Sequence, residues 1–109
     1  MDLTQIKNKI IAVDFDNTIT NKSKPPITGT INQKMINILK KIKENNKLIL
    51  WTCREDNELQ EAINLCKQNG LEFDKINENI DDTYSRKIKA DYYIDDKNIC
   101  INEILKEEK

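Results

Sequence analysis

Two carboxylates end an apolar run near the start of the chain, in the segment AVDFDNTIT of residues 12–20. Asp14 and Asp16 follow residues 10–13, which are β-branched or small apolar residues, as in a buried strand. Acids are among the residues least often buried, and like charges this close raise each other's pKa unless a positive group compensates them. The pattern therefore indicates a site that brings positive charge to these two side chains.

Other polar side chains follow two later apolar runs. Thr52 comes directly after LILW, and Asp95 with Asp96 comes directly after ADYYI. A lysine, Lys87 or Lys89, precedes the second of these runs. In open parallel sheets the ligand lies beyond the carboxyl ends of the strands, where the strand order reverses, so we expect these groups to meet at one edge of a sheet.

A hard divalent cation accounts for this combination of groups. Mg²⁺ binds carboxylate and carbonyl oxygens octahedrally, keeps several waters and neutralises acids that would otherwise repel one another. Asp14 would then be an ionised, metal-held carboxylate and a candidate nucleophile toward phosphorus. Each group alone also has a structural interpretation, because Asp and Thr commonly form turns and helix caps. The ordered recurrence of such groups at strand ends favours a functional site.

The elements that must position these groups follow from the periodicity of apolar residues. Helical spacing predicts two helices, a first of about four turns with Thr30 or Asn32 as its N-cap and a second that ends at Gly70. The final apolar pattern predicts a helix over 101–105. Short apolar runs predict strands after the first one, at 47–51, 73–77 and 90–94. This alternation predicts an α/β fold in which helices cover both faces of a parallel sheet.

The composition narrows the class of protein. A chain of 109 residues has the size of one domain, and we expect residues 1–109 to form a single domain. The 18 basic and 19 acidic residues give a net charge of −1 and no electrostatic footprint for nucleic acid or an anionic membrane. No apolar segment has the length of a membrane span, and the three cysteines form no C-x-x-C pair, which predicts a cytoplasmic protein with reduced thiols. Because the chain has no histidine, any chemistry must use carboxylates, lysine or a metal.

Three segments together resemble a known family. AVDFDNT, LILWT and RKIKADYYIDD are similar, in their order, to the motifs of the haloacid dehalogenase superfamily, over about residues 10–100. The sequence around these motifs is similar to that of a group of short members of the superfamily. The resemblance implies a three-layer, Rossmann-like parallel sheet without a cap domain. Because Asp16 stands two positions after Asp14, the resemblance implies phosphate chemistry, as in phosphatases and phosphotransferases, and not dehalogenation.

The resemblance also implies a role for each matching residue. Asp14 is the nucleophile that becomes an aspartyl phosphate, and Asp16 is the general acid and base, with its backbone carbonyl also at Mg²⁺. Thr52 hydrogen-bonds the phosphoryl group, and Lys87, which fits the spacing better than Lys89, balances its charge. The implied metal site comprises Asp14, Asp16, Asp95 and Asp96. The substrate is a phosphorylated small molecule or a phosphate-terminated polymer. With no cap to cover the site, a homo-oligomer is also expected.

Three other functions fit parts of the pattern. A receiver-like phospho-acceptor domain also uses an acid pair, a threonine and a lysine on a parallel sheet, but its lysine comes last in the chain, whereas here the second acid pair does. A metal-dependent nuclease would use clustered carboxylates, but the sequence has no basic face. A non-catalytic remnant would retain only metal binding, although every motif residue is present here.

Overall fold

A four-stranded parallel sheet forms the centre of the fold in the computed structural model, which describes residues 3–24, 28–81, 83–84 and 88–95. A short 3₁₀ helix, Leu3–Gln5, precedes the first strand. The remaining elements are, in chain order, β1 (Ile10–Val13), β2 (Thr20–Asn21), β3 (Thr30–Ile31), α1 (Gln33–Lys43), β4 (Lys47–Leu50), α2 (Asp56–Gln68), β5 (Lys75–Ile76) and β6 (Tyr92–Ile94). The predicted α/β class and parallel sheet are confirmed.

The strand order across the sheet is β5, β4, β1, β6. Among the four parallel strands the third, second, first and fourth in the chain therefore lie side by side, which is how the Rossmann order begins. From β1 the chain adds β4 and then β5 on one side, and it later adds β6 on the other side of β1. The strand order therefore reverses between β1 and β6, and this position is the switch point. In register, Val13 lies beside Leu50 of β4 on one side and Ile94 of β6 on the other.

Both described helices lie on the same face of the sheet, which we call the helix face. Two crossovers proceed in the same direction across the sheet, one from β1 through α1 to β4 and one from β4 through α2 to β5. Because such crossovers are almost always right-handed, they place both helices on one side of the sheet. The apolar cluster on the helix face is formed by Ile11, Val13, Leu48, Leu50 and Ile94 of the strands together with side chains of α1 and α2. The helix predicted over 101–105 lies outside the described residues.

The opposite face of the sheet, which we call the second face, carries a smaller apolar cluster. Its buried members are Ala12, Ile49 and Ile88. Partly buried side chains pack around them, namely Ile10, Trp51, Ile80, Ala90 and Tyr93. The connection from β5 to β6 supplies several of these residues, because after the reversal of strand order the chain returns across the second face.

The helix ends agree with local capping chemistry. Asn32 is the N-cap of α1, where its side-chain oxygen accepts a hydrogen bond from the Met35 amide at 3.2 Å. This helix has 11 residues, about three turns, and so is shorter than predicted. Gly70 follows the end of α2 with φ of 78°, the left-handed conformation in which glycine carries no Cβ penalty. No helix in the described part of the chain is long and apolar enough to cross a bilayer.

A small antiparallel hairpin, β2 with β3, occupies part of the segment that the sequence predicted as a loop. Two-residue strands are too short to produce a readable alternation, which explains why the sequence did not reveal them. Gly29 permits the close approach of the two chain segments, since a Cβ there would lie 1.7 Å from the Asn21 carbonyl oxygen.

Asn46 connects three parts of the fold and is expected to contribute strongly to stability. Its side chain donates to the carbonyls of Ile6 and Ile42, at 2.9 and 2.8 Å, and accepts from the Lys9 amide at 3.0 Å. Substitution Asn46→Ala would leave the Ile6 carbonyl and the Lys9 amide without this partner, whereas the Ile42 carbonyl keeps the Asn45 amide at 3.3 Å. We therefore expect urea unfolding to show a loss of about 1–3 kcal/mol. The matched control is Asn64→Ala on the exposed side of α2, expected within about 0.5 kcal/mol of the native protein. Equal losses in both variants would contradict this role.

Candidate functional site

The carboxyl ends of β1, β4 and β6 open into a cavity of about 180 Å³. The strand ladder continues past the ends of these strands, because the Asp14 amide donates to Ile94 at 3.0 Å and the Trp51 amide donates to Val13 at 2.9 Å. The residues that line the cavity are Asp14, Trp51, Thr52, Cys53 and Asp95. Three of the predicted site residues, from three different strands, therefore share one cavity at the switch point.

Strand alternation decides which carboxylates meet. Val13 and Ile94 point into the cluster on the helix face, so the next residues, Asp14 and Asp95, are directed to the second face. Phe15 is again fully buried on the helix face. The predicted acid pair is divided because the chain turns at residues 16–19: Asp14 lines the cavity, whereas the Asp16 carboxylate pairs with Arg54 and Ser23.

The positive group beside Asp16 is the guanidinium of Arg54. Arg54 Nη2 donates to Asp16 Oδ1 at 2.7 Å, and Nε donates to Oδ2 at 2.9 Å, which gives a bidentate ion pair. The Arg54 side chain is 1% exposed and the Asp16 side chain 16% exposed. The guanidinium also lies 5.0 Å from the centre of the Phe15 ring. Arg54 therefore contacts two consecutive residues of the segment that follows β1.

The ion pair keeps Asp16 charged. Burial favours the neutral carboxyl, but the hydrogen bonds from Arg54 and Ser23 and the charge of Arg54 outweigh it, so the pKa of Asp16 lies below its ordinary value. The hydrogen bond to Asp16 is the main cause that raises the pKa of Arg54 above its ordinary value. Asp16 is consequently an acceptor, and not a proton donor, in this arrangement near neutral pH.

A closed loop of hydrogen bonds fixes the segment that carries Asp16. Ser23 donates its hydroxyl to Asp16 and its amide to the Asn17 side chain, at 2.8 Å in the second case. Asn17 returns a hydrogen bond to the Ser23 carbonyl at 3.0 Å. Asn17 has φ of 64°, a left-handed conformation that asparagine tolerates better than most residues. Arg54 and Asn17 thus close the loop from both sides.

Thr52 is positioned by a residue of the neighbouring strand. Its amide donates to Asn77 Oδ1 at 2.8 Å, and its hydroxyl oxygen accepts from the Arg54 amide at 3.2 Å. Asn77 itself lies directly after β5 and donates its amide to Leu50 at 2.8 Å. These contacts hold the turn between β4 and α2 open toward the cavity.

Of the remaining predicted site residues, the structure describes Lys89. Lys87 and Asp96 are outside the described residues. Lys89, the alternative lysine, donates to Thr83 at 3.0 Å and lies 3.8 Å from Asp81, and it does not line the cavity. Within the described ranges no three acidic, thiol or imidazole side chains stand close enough to hold a metal ion.

Sequence reasoning missed three residues of this edge: Arg54, Asn77 and Trp51. For Arg54 a signal was present, since it is one of two arginines in the chain and stands two positions after Thr52, close to a strand end that must accommodate acids. Asn77 follows a weak strand and gives no such signal, because its role depends on the pairing of β5 with β4. Trp51 looked like an ordinary member of an apolar run.

Comparison with known proteins gives one relationship. No protein-family model matches the sequence, and no curated protein matches it. A solved structure of a conserved protein from Bacteroides thetaiotaomicron is similar over 94% of this chain and 93% of that one, with 38% sequence identity and a TM-score of 0.77. This chain belongs to the family of that conserved protein. The relationship supports the fold, and the chemistry follows from the residues of the site.

The Asp16–Arg54 ion pair predicts a defined pH dependence of stability. Because the folded pKa of Asp16 is depressed, its carboxylate stabilises the fold above the ordinary value of about 3.9, and this contribution is lost as pH falls below it. In EDTA, Asp16→Asn should be about 3 kcal/mol less stable than the native protein at pH 7, since Arg54 loses its counter-charge. The difference, measured by urea unfolding, should shrink below about pH 4.

The control for this measurement is Glu78→Gln, which removes the exposed carboxylate that follows Asn77 in the chain. We expect it to follow the native protein at every pH. A difference between Asp16→Asn and the native protein that stays constant from pH 7 to pH 3 would refute a stabilising ion pair.

Proposed function

We propose that the protein is a Mg²⁺-dependent phosphomonoester hydrolase of the haloacid dehalogenase type. The observation that supports this most is the convergence of Asp14, Thr52 and Asp95, from three parallel strands, on one cavity at the switch point. Open α/β sheets bind ligands at this place. The cavity offers a nucleophilic carboxylate, a hydroxyl and a second carboxylate, which are the groups that phosphoryl transfer through an aspartyl phosphate requires.

Hydrolysis proceeds in two displacements on Asp14. In the first, a carboxylate oxygen of Asp14 forms a bond to phosphorus while the bond to the ester oxygen breaks, and the leaving oxygen takes up a proton. In the second, water attacks the phosphoryl group, the bond to Asp14 breaks, and a general base accepts the proton of the water. Thr52 donates its hydroxyl to the phosphoryl oxygens, and we assign Lys87 to the same charge.

Asp16 is the general acid and base of this scheme, and its contact with Arg54 decides which role suits it better. An ionised Asp16 is prepared to accept the proton of the attacking water. To donate a proton to a basic leaving group it must first gain one, which the ion pair opposes.

The donor set of the cavity fits Mg²⁺. Asp14 and Asp95 supply hard carboxylate oxygens, and Mg²⁺ is commonly held by one or two carboxylates while waters fill its remaining positions. We assign Asp96 and the backbone carbonyl of Asp16 to the same site. When bound, the ion would neutralise the carboxylates and polarise the phosphoryl oxygens.

The finer features of the protein belong to the same proposal. We infer a three-layer sheet and no cap domain, since the segments that could hold one contain a small hairpin and the elements α2 and β5. Cys53 and Cys66 are free thiols, which suits a cytoplasmic protein. A second subunit or a large phosphorylated substrate would shield the site from water.

The alternative functions receive less support. In the receiver-type order the third parallel strand lies beside the first, whereas here β5 lies beside β4 at the edge of the sheet. A nuclease would need an excess of positive charge along a groove, whereas this chain has a net charge of −1. A remnant without catalysis would not need Thr52 and Asp14 to line the same cavity.

Mg²⁺ should stabilise the protein through Asp14 and Asp95. By mass action, an ion present at a hundred times its dissociation constant adds about 2.7 kcal/mol to the stability of the folded state. We therefore expect calorimetry to show a higher melting temperature with millimolar Mg²⁺ than with EDTA, and the increase should largely vanish in Asp95→Asn. Asp91→Asn, an aspartate at the opposite end of β6, is the control and should keep it. Identical melting curves with Mg²⁺ and EDTA would argue against the metal site.

Two variants separate the roles of the aspartates with p-nitrophenyl phosphate as substrate. Asp14→Asn should abolish turnover. Asp16→Asn should still release a burst of p-nitrophenol near one equivalent, because this leaving group departs without a proton, and then turn over about 10²–10⁴ times more slowly than the native enzyme. Mass spectrometry should find an adduct of about 80 Da, one phosphoryl group, on Asp14.

The control is again Asp91→Asn, which changes the charge equally at the far end of the sheet and should keep normal kinetics. An adduct on another residue, or an equal loss of burst and turnover in the two site variants, would show that these roles are assigned wrongly.

A further inference from the structure

One wall of the cavity is aromatic. Trp51 follows β4 and lines the cavity together with Asp14 and Asp95. Its side chain belongs to the cluster on the second face, the face to which strand alternation directs those two carboxylates. It is only partly buried. The indole therefore has one part in the apolar cluster and another part at the cavity, beside the proposed nucleophile.

The Trp51 ring is held in place by its neighbours. It meets Tyr93 edge to face, with ring centroids 5.5 Å apart and an angle of 62° between the planes, which is a favourable geometry for aromatic pairs. The Tyr93 hydroxyl donates to the Ile88 carbonyl, so the supporting ring is itself fixed. A large, rigid ring at a binding site gives up little conformational entropy when a ligand packs against it.

The size of the cavity limits what can bind in it. Its volume of about 180 Å³ is comparable to the about 150 Å³ of an apolar cavity that holds benzene. A phosphoryl group with one adjoining ring fits this space, and the rest of a larger substrate would lie outside. Thr52 and Cys53 complete the lining of the cavity.

We propose that Trp51 is the substrate-recognition wall of the site and that the substrates are phosphomonoesters with an aromatic ring next to the phosphate-bearing carbon or oxygen. This inference rests on the proposed function and deepens it. The phosphate is held at Asp14 and Thr52, and the ring of the substrate packs on the indole. Aromatic pairs gain stabilisation beyond the apolar area that they bury, so the wall distinguishes a planar ring from an aliphatic group of equal size.

The test compares benzyl phosphate with cyclohexylmethyl phosphate, which have similar size and similar leaving groups but differ in aromaticity. Binding is measured with Mg²⁺ present in Asp14→Asn, which holds the ligand without turnover. Trp51 is the only tryptophan of the chain, so its fluorescence reports on this wall directly. We expect benzyl phosphate to perturb the emission and to bind about two- to tenfold more tightly than cyclohexylmethyl phosphate.

Variants of Trp51 show whether the preference comes from this ring. Calorimetric titration of Trp51→Leu, also in the Asp14→Asn background, should give equal affinity for the two ligands, whereas Trp51→Phe should retain part of the preference. Circular dichroism checks that both variants keep the fold. Equal affinity of the two ligands in Asp14→Asn, unperturbed emission, or no binding of either ligand would each overturn the inference.

The same ligands distinguish this failure from a failure of the proposed function. If the native protein hydrolyses both esters with equal efficiency through a phosphoenzyme, the proposed function stands and the role of Trp51 is refuted. If benzyl phosphate binds preferentially but no phosphoenzyme forms, the aromatic wall stands and the proposed hydrolase activity is refuted.

Discussion

The position of β1 between β4 and β6 is the constraint on which the rest of the structure depends. Parallel pairing on both sides fixes the register of this strand, so that Val13 lies level with Leu50 and Ile94. Because all three strands run in the same direction, the residues that follow them lie at the same end of the sheet. Helical crossovers to β4 and then to β5 on one side of β1, and a return to β6 on its other side, create the switch point at the carboxyl end of β1. The cavity is a consequence of that order.

The turn that follows β1 then gives the acidic residues two environments. Asp14 and Asp95 are directed to the second face and share a cavity with an aromatic wall. Asp16 lies two residues further on, after Phe15 has entered the core on the helix face. In a continued strand Asp14 and Asp16 would share a face, because side chains two residues apart point the same way. The chain instead turns at residues 16–19, and the Asp16 carboxylate pairs with Arg54 and Ser23.

The two environments compensate negative charge in different ways. For Asp16 the compensation is internal, a nearly inaccessible guanidinium with bidentate geometry. A buried arginine of this kind needs its partner, because an unpaired charge away from water is costly. For Asp14 and Asp95 we propose an external cation, which binds reversibly from the solvent. The internal pair thus contributes to folding, whereas the proposed cation contributes to ligand binding.

The sequence by itself determined the elements with strong periodicity or clear end signals: the two helices, the Asn32 cap, the Gly70 end and the apolar strands. It also determined that Asp14, Thr52 and Asp95 follow strands, which is local information. The tertiary structure decided which of these groups meet. Arg54 and Asp16 are 38 residues apart in the chain, and Asn77 reaches Thr52 only because β5 pairs with β4. Such contacts depend on strand order, crossover handedness and side-chain direction together, and no local pattern of residues encodes all three.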